Sequence, residues 1–472
     1  MRTAVIRSFI TAVALAAAVP ASAQAEAQYK HKDYFEHYEG TKTCLQCHQK
    51  EAEDFFHSQH YQWKGSAPHI SNAKGRALGK MNTINDFCTS PANNWIGLVQ
   101  NKEGDTITRG CSACHAGLGL KPSDQISESQ LENIDCLQCH ASGYRREVYR
   151  KKDGGWEWKP ILWQNPEGLD SVAKRISLPK RSMCLRCHAN SGGGPNFKRG
   201  DMEYILSDVD RDYDVHMGSN GVAFDCIQCH KGDDHRIRGR GTDLSANDMP
   251  STVRCEDCHG SAPHKTNADL NRHVARVNCT VCHIPTFART DPTDVVRDWS
   301  KPDFHEETDR YSATIQLAQN VMPVYLWFNG NTREQFLAEP LKKDTDGSIE
   351  MMVPEGSRSD PTSRIYAFKL HRATLPVLDG KQWVIPIEVE EFFQNGELDQ
   401  AVKEAADKEY GIKNAQYRFH PTIRYMGIFH GVRPAKYALS CHDCHSVNSR
   451  MNWAQLGYKS DPAATAGGQG AP

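Results

Sequence analysis

Residues Cys44-Leu45-Gln46-Cys47-His48 contain two cysteines that are separated by two residues and followed directly by a histidine. The pattern occurs eight times in the 472-residue chain and uses 16 of its 17 cysteines. The eight copies are Cys44/Cys47/His48, Cys111/Cys114/His115, Cys136/Cys139/His140, Cys184/Cys187/His188, Cys226/Cys229/His230, Cys255/Cys258/His259, Cys279/Cys282/His283 and Cys441/Cys444/His445.

This spacing is the attachment signature of haem c, in which the two thiols form thioethers and the histidine binds iron. Two alternatives explain the pattern less well. A disulfide framework gives no reason for a histidine after every second cysteine. Structural zinc needs four ligands per ion in patterns such as two Cys and two His. The sequence therefore predicts eight covalently bound haem c groups.

The composition agrees with a core built partly from cofactors. Only 39% of the residues are hydrophobic, below the roughly 45–50% that is usual for a globular domain. The formal net charge of −2 gives no basic excess for nucleic acid. We expect a multihaem cytochrome c fold that is mainly α, with short helices, long loops and little sheet around stacked haems.

The N-terminus has the features of a signal peptide over residues 1–23. Arg2 and Arg7 precede an apolar run at 9–19, and a small-residue cleavage site follows at 21–23. An anchor helix is the alternative, but the run is short and Pro20 ends it. Cleavage removes two of the 56 basic residues and leaves 54 against 58 acidic ones. We therefore expect a periplasmic protein with no membrane span in its mature chain.

The motif positions divide the chain into regions of different haem content. Seven motifs lie between 44 and 283, and the eighth begins at Cys441. In the intervening stretch, the apolar spacing predicts a helix at 398–410 that ends at Gly411. The predicted regions are a haem-rich part at 24–290, a haem-free cap with helices at 291–440, the eighth haem site at 441–458 and a disordered tail at 459–472.

Fourteen histidines lie outside the motifs, which is enough to give most haem irons a second imidazole. We expect most haems to be low-spin with two imidazoles. Position in the chain favours one group as second ligands: His57, His60, His216, His235, His264, His273 and His430. The other seven are weaker candidates: His31, His37, His69, His305, His371, His420 and His442.

Beyond its motifs, the chain resembles the octahaem cytochromes related to octahaem tetrathionate reductase, over nearly all of the mature sequence. The strings that carry the resemblance include Ile84-Asn-Asp-Phe-Cys88, Lys198-Arg-Gly-Asp201, Val215-His-Met-Gly218, Cys282-His-Ile-Pro285, Trp327-Phe-Asn-Gly330 and Pro434-Ala-Lys-Tyr-Ala-Leu-Ser-Cys441. The connecting strings are more specific than haem motifs alone.

The resemblance implies a periplasmic reductase in which one haem, the second in sequence, is the active site. The matching catalytic residues are His115 on that haem, Lys198 as a lysine ligand to its iron and Cys88 as a thiol in the pocket. Pro195 departs from the acidic residue expected three positions before the lysine, which leaves proton delivery and the substrate open. The implied substrates are tetrathionate, nitrite or hydroxylamine.

Three alternatives follow from the same residues. Octahaem nitrite reductases hold their active-site haem by Cys-x-x-Cys-Lys, and every motif here ends in His. A hydroxylamine-oxidoreductase-like enzyme stays possible and would need a tyrosine cross-linked to the catalytic porphyrin. A non-catalytic electron conduit would have all eight irons six-coordinate. The expected redox partner is a quinol-oxidising membrane cytochrome or a small periplasmic cytochrome.

Overall fold

The structure is a computed structural model that describes residues 31–89, 95–96, 98–100, 106–108, 110–150, 156–163, 166–241, 243, 246–306 and 310–465. The predicted signal segment, 1–23, lies outside these residues. Within them, no helix has both the length and the apolar character needed to cross a bilayer.

The helices are mostly one or two turns long, because many of them consist of an attachment motif and little else. They are α1 Thr41–Leu45, α2 Gln49–Phe56, α3 Glu128–Glu132, α4 Leu137–His140, α5 Leu169–Lys174, α6 Arg181–His188, α7 Glu256–His259, α8 Ala268–Val274, α9 Cys279–His283, α10 Val389–Asn395, α11 Leu398–Tyr410, α12 Cys441–Cys444 and α13 Pro462–Thr465. Short 3₁₀ turns occur at Cys111–Ala113, Tyr204–Ser207, Cys226–Gln228 and Ala435–Tyr437.

The strands form one large sheet and two small ones. They are β1 Leu98–Gln100, β2 Thr106–Thr108, β3 Tyr144–Arg150, β4 Trp156–Leu162, β5 Gly232–Asp233, β6 Arg236–Ile237, β7 Thr293–His305, β8 Arg310–Ala318, β9 Val324–Phe328, β10 Thr332–Glu334, β11 Ile349–Pro354, β12 Arg364–Leu378, β13 Trp383–Val384 and β14 Tyr417–Gly427.

The expectation of a mainly α fold with little sheet was wrong. Only 23% of the described residues are helical, and they include an eight-stranded mixed sheet. The strand order is β10-β11-β14-β12-β7-β8, and β9 and β13 also pair with β12. Strands β12 and β14 are antiparallel from Phe368 opposite Gly427 to Leu378 opposite Tyr417, whereas β12 and β7 run parallel. The long segment after the seventh motif therefore forms a β-sheet with two helices.

The largest apolar core lies between this sheet and helices α10 and α11. Leu375 and Val377 of the sheet pack with Phe392 of α10 and Val402 of α11, and all four are fully buried. The helix predicted at 398–410 is present with those bounds, and it ends at Gly411 in the left-handed conformation, which glycine adopts without strain.

The haem-motif region consists mostly of short helical turns, loops and two small sheets. A second core joins motif seven to motif eight, because Val281 and Cys282 pack in the same cluster as Cys444 and Trp453. The backbone N–H of Leu439 also donates to the Cys282 carbonyl over 3.0 Å. The eighth motif thus returns to the array although it is far along the chain.

Candidate functional site

Each attachment motif folds into a short helical turn that places its two thiols and its imidazole on one side. In the first motif, the N–H of His48 donates to the carbonyl of Cys44 over 2.8 Å, and the other motifs repeat this contact or lie in a helix. Residues three and four apart lie on the same helix face. This local geometry suits attachment of one porphyrin from one side. We number the sites 1 to 8 by the order of their motifs.

Seven of the eight motif histidines face a second imidazole from elsewhere in the chain, with ring centres 5.9 to 6.4 Å apart. The pairs are His48–His31 (site 1), His140–His235 (site 3), His188–His60 (site 4), His230–His430 (site 5), His259–His216 (site 6), His283–His264 (site 7) and His445–His273 (site 8).

These separations fit haem iron held between two imidazoles. Metal–imidazole bonds are about 2 Å long, so two ligating nitrogens lie about 4 Å apart and their ring centres about 6 Å apart. Imidazoles in ordinary stacking contact have no reason to repeat this separation seven times. The residues present therefore fit haem at these sites.

In several of these rings Nδ1 already has a hydrogen-bond partner, which leaves Nε2 to bind a metal. Backbone carbonyls accept from Nδ1 of His140, His230 and His273 over 2.8 to 2.9 Å. Carboxylate oxygens take the place of the carbonyl at two other rings. Nδ1 of His430 lies 3.1 Å from Oδ2 of Asp201, and Nδ1 of His445 lies 2.7 Å from Oδ1 of Asp461. Such partners fix the ring orientation and the tautomer of metal-binding histidines.

Thiol contacts between motifs show which sites are neighbours. Thiols lie within hydrogen-bonding reach at four contacts: Cys44 with Cys136, Cys114 with Cys187, Cys184 with Cys226, and Cys255 with Cys279. Three further pairs of motif thiols lie near enough for their charges to interact. They join site 3 to site 4, site 5 to site 6 and site 7 to site 8. The sites thus form a continuous series 1-3-4-5-6-7-8, with site 2 beside site 4.

The structure brings six of the seven favoured histidines against a motif histidine, but the pairing differs from the order of the chain. His60 follows motif one and faces His188 of motif four. His57 packs edge-on against Phe56 and faces no motif imidazole in the described part of the chain. The sequence reasoning rated His31 too low, although it precedes motif one and faces that motif's His48.

Site 2 differs from the other seven. Within the described residues no second imidazole faces His115, whose Nδ1 contacts the Tyr61 carbonyl at 3.2 Å and whose ring centre lies 5.5 Å from that of Trp95. The amine of Lys80 lies close enough for its charge to act on this site. Burial, and after it the Lys80 charge, lowers the pKa of His115 to about 3.

Lys80 is a residue that the sequence reasoning missed. Its side chain lines the cavity at site 2, and the residue is exposed to that open space. Burial opposes its charge, but the thiols of Cys111 and Cys114 outweigh burial and raise the pKa of Lys80 in the free-thiol chain. Thioethers carry no such charge, so a haem attached at motif two would remove the attraction of these two thiols for the Lys80 amine.

The second amine of this region, Lys198, lies deeper in the protein. The residue is 9% exposed, and its Nζ lies 3.6 Å from Oδ2 of Asp243. Burial lowers the pKa of Lys198 to about 8, although Asp243 opposes the shift. Lys198 is thus paired with a carboxylate, whereas Lys80 is the amine beside the thiols of motif two.

Cys88 lies near the second motif, within reach of Cys111. Burial raises the pKa of Cys111 to about 11, and the charges of Lys80 and Cys88 both act on this thiol. Gly192 has a φ of +93°, and a Cβ there would lie 3.0 Å from the Lys198 Cβ and 3.2 Å from Phe87. The glycine therefore allows the Lys198 segment to pack against the loop that carries Cys88.

The large sheet holds this loop in place through a buried ion network. Asp86 accepts from Arg424 of β14 and contacts Nδ1 of His371 of β12 at 2.5 Å. Nε2 of His371 lies 3.3 Å from Asp294 of β7. Burial acts against the Asp86 carboxylate, but Arg424 and His371 hold its pKa well below the usual range. Asp86, two residues before Cys88, is thus fixed to the sheet.

A cavity of about 4440 Å³ connects most of the sites and reaches Lys80, Cys88, Lys198 and Arg424. Sites for one small ligand usually occupy about 300–1,000 Å³. The space is therefore sized for several large groups, and its walls include the thiols of the first six motifs.

Comparison with known proteins agrees with this geometry. Residues 296–448 match the family model described as bacterial cytochrome c. The crystal structure of an octahaem cytochrome c from Shewanella oneidensis superposes with a TM-score of 0.74 and 28% identity, over 93% of this chain and 98% of that chain. An uncharacterised protein of Archaeoglobus fulgidus is 34% identical over 239 aligned residues, which cover 44% of this chain and 77% of that protein.

The fold and the repeated motifs thus define a multihaem c-type cytochrome that binds its haem covalently. More particularly, the chain belongs to the octahaem c-type cytochromes.

Proposed function

We propose that this cytochrome is an exported oxidoreductase with one catalytic site among eight haem sites. Seven sites are closed on both faces by imidazoles and serve electron transfer. Site 2 is where a small sulfur or nitrogen compound such as tetrathionate, nitrite or hydroxylamine is reduced. The haems supply one-electron transfer and, at site 2, an iron for the substrate.

A single contrast carries this proposal. Seven motif histidines face a second imidazole, whereas His115 faces an amine-bearing region instead. Two imidazoles close an iron to substrate. A neutral lysine amine would be a less bulky ligand than imidazole, and Lys80 would therefore leave more room for a substrate at this site. We assign this ligand role to Lys80, which lies by the motif-two thiols, rather than to Lys198, which the resemblance implied.

Lys198 then serves as a cation for an anionic substrate. Its ammonium is buried and paired with Asp243 on one side. Arg424 is also buried and lines the same cavity, and its Nη2 makes no hydrogen bond within the described chain. Donors that are fixed in place by buried carboxylates need no reorganisation when negative charge arrives, which is the basis of electrostatic stabilisation.

Cys88 gives the site a chemistry specific for sulfur–sulfur bonds. A thiolate attacks one sulfur of such a bond, forms a mixed disulfide and releases the other sulfur as a thiolate. With tetrathionate this step releases one thiosulfate. Reduction of the remaining mixed disulfide by two electrons and one proton returns the Cys88 thiol and a second thiosulfate. We therefore assign Cys88 to turnover of sulfur substrates.

The N-terminal sequence supports export to the periplasm, and the partner we propose there is a quinol-oxidising membrane cytochrome or a small periplasmic cytochrome. Haem c must be attached for any of these roles. The intact mass of exported protein should exceed the cleaved polypeptide by eight haem units, and a smaller increment would refute full loading.

The test of catalysis is reduction of tetrathionate, nitrite and hydroxylamine by the haem-loaded protein with a reduced viologen dye as electron donor. We expect Lys80→Leu to change turnover of all three substrates and His57→Ala, the matched control, to change none. Turnover that is absent in the parent protein would favour an electron conduit. Equal turnover in the parent and in Lys80→Leu would refute the ligand role of Lys80.

A further inference from the structure

One of the second imidazoles, His430 at site 5, is held by a fully buried carboxylate. Its Nδ1 lies 3.1 Å from Oδ2 of Asp201, whose side chain has no solvent exposure. The same oxygen accepts the backbone N–H groups of Phe429 and His430, over 2.8 and 3.2 Å. The carboxylate is therefore fixed toward the ring by three contacts.

This arrangement contrasts with the other sites. Carbonyl oxygens accept from the ring nitrogens of His140, His230 and His273. Asp214 lies 4.0 Å from the ring of His216, too far for a hydrogen bond. Asp461 reaches His445 over 2.7 Å, but its side chain is 19% exposed, so water screens part of its charge.

A carboxylate changes a ligating imidazole more than a carbonyl does. A ring that donates Nδ1–H to a carboxylate gains negative character, becomes a more basic ligand and stabilises the ferric state over the ferrous state. The effect is large when the carboxylate is buried, because little solvent screens the charge. Among the described carboxylates that contact a paired imidazole, the one at site 5 is thus more deeply buried than the one at site 8.

Arg199 modulates this carboxylate from its other side. Its Nε lies 3.3 Å from Oδ1 of Asp201, and its Nη1 pairs with Asp243, the partner of Lys198. The line His430–Asp201–Arg199–Asp243–Lys198 therefore runs without a break from site 5 to the proposed substrate cations. The Arg199 charge offsets part of the Asp201 charge. These two residues should therefore shift the reduction potential of site 5 in opposite directions.

The reduction potential of site 5 matters for function because of where this site lies in the series. Cys226 of site 5 contacts Cys184 of site 4, the neighbour of site 2, and Cys229 of site 5 is close to Cys258 of site 6. In the series of sites, every path from sites 6, 7 and 8 to site 2 passes through site 5.

We propose that Asp201 is a positioning residue that sets the reduction potential of site 5 below those of the sites whose rings donate to carbonyls. Site 5 thereby becomes the uphill step between the catalytic end of the series and sites 6 to 8. The inference rests on the proposed binding of iron by His230 and His430 at this site.

The test is a spectroscopic redox titration of the fully loaded protein at fixed pH, with variants Asp201→Asn and Arg199→Gln. Asparagine keeps an oxygen for the backbone N–H groups and removes the charge. We expect Asp201→Asn to move one titration step to a more positive potential and Arg199→Gln to move the same step to a more negative one. Asp461→Asn, at site 8, should move a different step.

The outcomes separate tuning from ligation. All steps unchanged in Asp201→Asn, with every low-spin signal retained, would overturn the tuning by Asp201 and leave the ligand assignment standing. If Asp201→Asn does not fold, an unmoved step in Arg199→Gln overturns the inference. Unchanged low-spin signals in His430→Ala would instead refute the ligation on which the inference rests.

Discussion

The imidazole of His60 faces that of His188 with their ring centres 6.1 Å apart, although His60 follows the first motif and His188 belongs to the fourth. His60 lies just after helix α2, whose other end adjoins motif one. One short helix therefore ties site 1 to site 4. Loss of this imidazole should affect site 4 and leave site 1 unchanged.

We expect His60→Ala to convert one haem from low-spin to high-spin while the other low-spin haems remain. The adjacent His57→Ala is the matched control and should leave the ferric spectrum unchanged, because His57 packs on Phe56. Electron paramagnetic resonance of the ferric variants measures both. A high-spin signal in His57→Ala and none in His60→Ala would reverse the assignment.

The attachment residues could be predicted from the sequence because they are local. Two thiols and a histidine within five residues suffice for one covalent haem site. The second ligands could be proposed only as a group, because their pairing depends on the path of the chain. His235 follows motif five yet faces His140 of motif three. Lys80 had no local signal, since its position beside Cys111 and Cys114 depends on a loop fold.

The sheet was missed because its strands lack the usual alternation of apolar and polar residues. Lys369 and His371 are fully buried within β12, where they bind the Lys198 segment and Asp86. Prolines, which are rare inside sheets, also occur here. Pro376 and Pro421 lie within the β12–β14 pairing, and Pro302 lies at a register shift of β7. Buried ions and prolines thus made strands look like irregular loops.

The charge of Lys198 should make anion binding depend on pH. Burial lowers its pKa to about 8 in spite of Asp243, so the amine is charged below that pH and neutral above it. We expect the affinity for nitrite to fall as the pH rises through 8. Lys198→Met should weaken binding about tenfold at pH 7, since a charge-assisted hydrogen bond contributes about 1.5–3 kcal/mol.

The Lys198→Met variant should also lack the pH inflection near 8. Lys403→Met is the control, because Lys403 pairs with Asp399 on helix α11 of the cap, away from this site. Spectrophotometric nitrite titrations between pH 6 and 9 measure the affinity of each variant. An inflection that survives in Lys198→Met would assign the pH dependence to another group.

Cys88→Ser should distinguish sulfur from nitrogen substrates. Serine has nearly the same size but cannot exchange with a sulfur–sulfur bond. We expect tetrathionate turnover to fall at least tenfold and nitrite turnover to stay within twofold of the parent, with unchanged haem spectra. Equal loss for both substrates would show that Cys88 has a general packing role.

Loss of the buried Asp86 carboxylate should destabilise the packing of the Cys88 loop against the large sheet. Asp86→Asn leaves the buried Arg424 guanidinium without its carboxylate partner, and the loss of one partner from a buried ion pair costs about 3–5 kcal/mol. We expect a lower melting temperature for the variant, measured by circular dichroism. Asp346→Asn is the control, because Asp346 and Arg372 are both nearly half exposed and such pairs contribute about 0–1 kcal/mol.

The same carboxylate should contribute to the acid sensitivity of the parent protein. Burial opposes the charge of Asp86, but Arg424 and His371 keep its pKa far below its value in the unfolded chain. Its stabilisation is therefore complete above about pH 5 and is lost as the pH falls. Asp86→Asn should flatten the fall in melting temperature below that pH. An equally steep fall in the variant would assign it to other carboxylates.

A cyanide titration of the ferric, fully loaded protein, monitored by electron paramagnetic resonance, will show whether site 2 is the single catalytic haem. A protein with seven sites closed by two imidazoles and one open or lysine-bound site should bind one cyanide, and only the signal of site 2 should change. In Lys80→Leu that site should be high-spin before cyanide is added. Binding of no cyanide, or of several, would contradict a single catalytic haem at His115.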